Sequence, residues 1–164
     1  MTVSLSLGAV VLVREWLDRF GAGVKRDPIP AAFFRYKITM DSNFTIFVGR
    51  VREGLSNYLL FRAEAAPTPS QVEQIKGLSE DQKRELFTKI KLELARLAIG
   101  YSGLSFPDAR DFHLSKRIPI SEALTEHEFI SALEDVEAAL SATIIVFQSE
   151  LEKANSQRRA TTNG

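Results

Sequence analysis

The chain has 164 residues, 45% hydrophobic and 26% charged, with 21 basic against 21 acidic side chains. Its length suits one domain with a real core, and its zero net charge argues against bulk attraction to nucleic acid or an anionic membrane. There is no cysteine, which excludes disulfides, thiolate nucleophiles and cysteine-ligated zinc and fits a cytoplasmic protein.

The run from Val3 to Val13 is apolar, but its first charge, Arg14, follows it, the reverse of a secretory leader. It is also too short to span a bilayer. The spacing predicts a helix from Gly8 to Phe20, with Val10, Val13, Leu17 and Phe20 on one face and Trp16 beside them. Gly21 and Gly23 are expected to end it. Asp27-Pro28-Ile29-Pro30 then forms a connector that cannot continue a helix.

Three strands are predicted next. Ala31 to Met40 alternates, with Phe34, Tyr36 and Ile38 on one side and Phe33, Arg35, Lys37 and Thr39 on the other. Asp41-Ser42-Asn43 is a turn, Phe44 to Val51 a strand, Arg52-Glu53-Gly54 a second turn, and Ser56 to Ala65 a third strand. Connections this short demand antiparallel pairing, because a parallel crossover needs a dozen or more residues.

Ala66-Pro67-Thr68-Pro69 breaks the pattern. Ser70 with Glu73, then Ser79 with Gln82, have the spacing of capping boxes, so two helices are expected, stopped by Gly77 and by Gly100. Leu86, Ile90, Leu94 and Leu97 make the stripe of the second. Tyr101 to Phe106 and Asp111 to Ile118 read as a hairpin turning at Pro107-Asp108-Ala109-Arg110. Thr125 and Glu128 open the last helix, and Leu124 with Phe129 fits a hydrophobic staple. Phe129, Leu133, Val136, Leu140, Ile144, Phe147 and Leu151 give that helix one apolar stripe to about Lys153. The expectation is an α+β domain over residues 1–155, in the order α-β-β-β-α-α-β-β-α: a three-strand meander and a two-strand hairpin in an antiparallel sheet, with helices packed on it. Residues 156–164 read as a disordered polar tail.

This order resembles the type III secretion chaperone-like fold, shared by secretion chaperones, YbjN-like proteins and uncharacterised prokaryotic families. The likeness covers residues 8–153. It is carried by V-R-E-W-L-D-R-F at 13–20, F-R-Y-K-I at 34–38 and F-T-I-F-V at 44–48. The closing block adds R-I-P-I, L-T-E-H-E-F and A-L-E-D-V, from 117 to 136. The resemblance implies a homodimer that binds other polypeptides and no catalytic activity.

Chemical motifs are sparse. The two histidines, His113 and His127, lack metal-ligand spacing, so no metal or other cofactor is expected. The carboxylates cluster at helix starts and on polar faces, where they complement the dipole. No phosphate-binding loop or nucleophile elbow is present; Gly21-Ala22-Gly23 follows a helix where a phosphate loop should follow a strand.

Two surfaces stand out. The second face of the meander combines Phe33, Arg35, Phe47, Tyr58, Leu60 and Arg62, the aromatic and arginine mixture that protein interfaces favour. The same mixture would suit single-stranded nucleic acid, though the charge balance counts against that. Ile144-Ile145-Val146-Phe147 is apolar all round its helix. Ile144, Ile145 and Phe147 are therefore candidate homodimer residues. The expected function is a non-enzymatic, chaperone-like or adaptor module binding an unidentified polypeptide partner. The alternative is a single-stranded nucleic-acid-binding sheet protein.

Overall fold

A computed structural model describes residues 2–20, 23–52, 57–104 and 112–162, without the side chains of 2–7, 9, 161 and 162. The cap at Gly21-Ala22, the turn at Glu53-Gly54 and the turn at 107–110 lie outside the described residues. The elements are α1 (Thr2–Phe20), β1 (Gly23–Arg26), β2 (Ala32–Thr39), β3 (Thr45–Val51), β4 (Tyr58–Glu64), α2 (Pro69–Lys76), α3 (Glu80–Arg96), β5 (Gly100–Ser102), β6 (His113–Pro119) and α4 (Glu126–Thr162). The strands pair in the order β1-β2-β3-β4-β6-β5. The fold is α+β, as its alternation and helical stripes require.

The expected meander gains a strand at its start. Gly23–Arg26 is too short to alternate visibly, and it is held by antiparallel pairing with β2, Lys25 opposite Lys37 and Val24 opposite Ile38. Gly23 therefore opens a strand instead of ending a helix. The 156–162 stretch, expected to be unstructured, continues α4 as helix.

The residues group into two compact units: 1–63 with 115–137, and 64–114 with 138–164. In the first, Val13, Trp16 and Leu17 of α1 are buried, with Phe34, Tyr36, Ile38, Ile46, Val48, Leu59 and Phe61 of the strands. Phe129 of α4 is the hub. Its ring centroid lies 5.4 Å from Trp16 and 5.2 Å from Phe61. The end of β6 is tied back by Ile120 N–H donating to the Asn57 carbonyl at 2.8 Å, and by Asn57 Nδ2 donating to the Ile120 carbonyl at 2.6 Å. The helix start at Thr125 is as read: Glu128 N–H donates to Thr125 Oγ1 at 3.2 Å, and Thr125 N–H donates to the Glu128 carboxylate at 2.9 Å.

In the second unit, Val72, Ile75, Leu86, Phe87, Ile90 and Leu94 are buried. The capping box of α2 is Thr68 with Gln71, not Ser70 with Glu73. Pro69 decides this, since its fixed φ and missing N–H suit the first helical position. The α3 box is Ser79 with Gln82, as expected. That helix ends earlier than Ile99. Ala98 takes the left-handed conformation at φ 54°, and Ile99 N–H closes onto the Leu94 carbonyl at 3.0 Å. Gly100 thus begins β5 instead of capping α3. On α4, Thr143 replaces Ile144 in the buried stripe. Its hydroxyl donates to the Ala139 carbonyl at 2.8 Å, so it enters the interior with its polarity satisfied.

Candidate functional site

Alternation along β2, β3 and β4 buries one face and leaves the other open, with Lys37 and Arg62 exposed and Arg35, Phe47, Tyr58 and Leu60 half-buried. Register aligns this outer face into cross-strand rows. One runs Lys25, Lys37, Phe47, Arg62, and the next runs Arg35, Gly49, Leu60.

Gly49 brings β3 close against β2 in the second row. A Cβ there would run into the Phe34 carbonyl and lie 3.1 Å from Arg35 Cα, so only glycine fits this close approach of β3 to β2. Beside this close approach lies a hollow of about 70 Å³ lined by Ile29, Ala32, Arg35, Phe47, Gly49, Val51, Leu60 and Arg62. Arg35 is held in place: its guanidinium pairs with the Asp27 carboxylate and lies 4.7 Å from the Phe47 ring centroid. Further along, the Arg117 guanidinium lies 4.9 Å from the Tyr58 ring, bringing β6 into the same face. Arg117 was not singled out in the sequence, because only the β4–β6 pairing puts it there.

Phe33 is 43% exposed, as expected of that side of β2, but it lies outside the two cross-strand rows. The register slips between Ala32 and Phe34, so that Ala32 faces Val51 and Phe34 faces Arg50. At this bulge Ala32, and not Phe33, lines the hollow. The Phe33 ring lies 4.9 Å from the guanidinium carbons of both Arg50 and Arg52.

Within the second unit, the α4 residues read as a dimer surface divide. Ile145 is 63% exposed, Ile144 is half-buried, and Phe147 is buried and unavailable to a partner. Ile145 shares a groove with Leu92 of α3, itself 65% exposed; Lys89, Glu93, Arg96 and Glu150 flank it.

A third groove holds His127, Glu128, Ser121 and Ser131. Glu128 is committed to the helix cap: the Thr125 backbone N–H and hydroxyl hold its carboxyl below the usual range. His113 lies on β6 and is not part of that groove. Among the described residues no group of three or more His, Asp or Glu could hold a metal ion, and no helix is long and apolar enough to cross a membrane.

Residues 11–147 match the family described as "Uncharacterized conserved protein (DUF2299)". The chain belongs to this family. The DUF2299 match spans α1 through most of α4 and so includes every strand of the open face. A solved structure, described as an uncharacterized protein from Methanothermobacter thermautotrophicus, superposes with a TM-score of 0.75. That similarity covers 85% of this chain and 96% of that one at 20% identity, a likeness of fold. No curated protein matches the sequence.

Proposed function

We propose that this DUF2299 chain is a non-enzymatic polypeptide-binding module, adaptor or chaperone-like, whose contact surface is the outer face of the sheet. The hollow beside Gly49 carries the reading: an apolar depression on a partly exposed sheet face, lined also by two arginines, one of them braced by Asp27 and Phe47. Interfaces favour aromatic and arginine anchors around a desolvated centre. The resemblance to the type III secretion chaperone-like fold agrees with it, and a cytoplasmic location belongs to the same proposal. Homodimerisation belongs to the same proposal. The groove around Leu92 and Ile145 carries both signs of charge, as a self-complementary two-fold patch needs.

The test is fluorescence anisotropy with a labelled, permanently unfolded polypeptide. Leu60→Asp and Phe47→Asp should each weaken binding about tenfold or more, the worth of one buried apolar side chain. Unchanged affinity in both variants overturns the sheet face as the contact surface. Equilibrium sedimentation of Ile145→Glu and Leu92→Glu tests the dimer, which both should dissociate.

One observation favours a second reading, single-stranded nucleic acid. Lys25, Lys37 and Arg62 flank Phe47 in a single row, as a phosphate-tracking groove with a stacking ring would. Such binding must fall steeply with salt and accept any base.

A further inference from the structure

Resting on the polypeptide-binding reading, we infer that the partner is an acidic, extended segment that seats one short aliphatic side chain in the hollow beside Gly49, two residues from a carboxylate. Three features of the face carry this.

The first is unmatched charge. Residues 23–63 hold seven lysines and arginines against three acidic residues, although the whole chain is neutral. Lys25 and Lys37 are direct cross-strand neighbours on the outer face, and like charges so placed destabilise a sheet. Arg62 completes the row beyond Phe47. Among the described residues none of these three has an ion-pair partner. An arrangement that costs the isolated protein stability is relieved when a partner supplies the anion.

The second is size. The hollow, about 70 Å³, is half the volume of the roughly 150 Å³ apolar cavity that accepts benzene. It admits a valine-sized group and is too small for a nucleobase. The rings that could stack bases are partly engaged, since a guanidinium lies 4.7 Å from the Phe47 centroid and another 4.9 Å from that of Tyr58.

The third is spacing. The cationic row crosses β3 at Phe47 and the hollow crosses it at Gly49. Two residues of strand separate them, about 7 Å. That is the spacing of side chains i and i+2 on an extended peptide, which share one face. The geometry therefore selects acid-x-aliphatic, both side chains directed down onto the sheet.

The experiment titrates labelled peptides into the full chain by anisotropy. One repeats Glu-Ser-Val-Ser. A second repeats Glu-Val-Ser-Ser, with the same composition but Val on the opposite face. A third repeats Lys-Ser-Val-Ser, and oligothymidylate is the nucleic-acid arm. The first should bind tightest and weaken with salt, the second about fivefold or more weaker, and the third should not bind. Lys37→Glu and Arg62→Glu should each weaken the first about tenfold. Leu60→Trp, which fills the hollow without changing charge, should bring the first two peptides to equal affinity. Circular dichroism confirms that each variant is folded.

No binding of Glu-Ser-Val-Ser, equal binding of the basic peptide, or tighter binding of oligothymidylate overturns the inference. So does full retention of affinity by the charge-reversed variants. If the unfolded polypeptide still binds and Leu60→Asp still weakens it, the contact face survives and only the partner class falls. If Leu60→Asp leaves that binding unchanged, the face itself is lost.

Discussion

The outer sheet face of the first unit and the helical surface of the second are both rich in charge, but they dispose of it in opposite ways. On α2, α3 and the later part of α4 most cations have a local anion. Lys76 pairs with Glu73 at 2.7 Å, Lys83 with Glu80 at 3.1 Å, Arg84 with Asp81 at 3.4 Å and Lys153 with Glu150 at 2.7 Å. Lys89 reaches both Glu85 at 2.7 Å and Glu150 at 2.8 Å. On the sheet, Lys25, Lys37 and Arg62 line up with a phenylalanine between Lys37 and Arg62 and no ion-pair partner among the described residues. The contrast separates a surface whose charges are mostly paired locally from one that sets like charges side by side.

The largest effect expected lies beneath the open face. Phe129→Ala should cost about 3–5 kcal/mol, because it removes the ring between Trp16 and Phe61. Urea denaturation measures it. A loss below about 1 kcal/mol would mean that the inner face does not hold this unit together.

Capping should not distinguish the units. Thr125→Ala in the first and Thr68→Ala in the second should each cost about 1 kcal/mol, since both boxes act through the nearest turn. A difference of several-fold between them would show that local devices, too, are spent unequally.

The sharpest test of the contrast is charge reversal at Lys37. Lys37→Glu turns a like-charged cross-strand pair with Lys25 into an opposite one, so it should raise stability by about 0.2–1 kcal/mol while it weakens binding. Glu73→Gln, which breaks an exposed pair in the second unit, should lower stability by less than about 0.5 kcal/mol. Thermal melts of the two variants read opposite signs. A destabilised Lys37→Glu would remove the argument that this row awaits an anion.

The smallest effect concerns pH. Hydrogen bonds from Lys153 and then Lys89 hold the Glu150 carboxyl below its usual range. A lowered folded pKa contributes stability that is present above the ordinary glutamate value, about 4.3, and is lost as pH falls through the lowered one. Thermal midpoints should therefore fall on acidification across that window, and Glu150→Gln should remove that part of the slope. An unchanged slope would show that the two lysines leave Glu150 no better paired than solvent does.

Helices were legible because their information is local. The Ser79 and Thr125 caps, the stripes through Ile90 and Phe129, and the ion pairs three or four residues apart are all written within a turn or two of chain. Alternation likewise placed Phe34, Tyr36, Ile38, Ile46 and Val48 inside and Arg35, Phe47, Leu60 and Arg62 outside. Phe147 is buried against expectation, because an all-round apolar turn does not say which side faces the interior.

The sequence by itself thus determined the fold class, the starts of α3 and α4 and most of the composition of the sheet's two faces, because neighbours along the chain set those. Only the tertiary structure decided that Gly23–Arg26 is a strand and that Lys25 stands opposite Lys37. It alone placed Arg117 beside Tyr58 and opened a hollow at Gly49. Cross-strand neighbours are set by register, and register joins residues far apart in the chain.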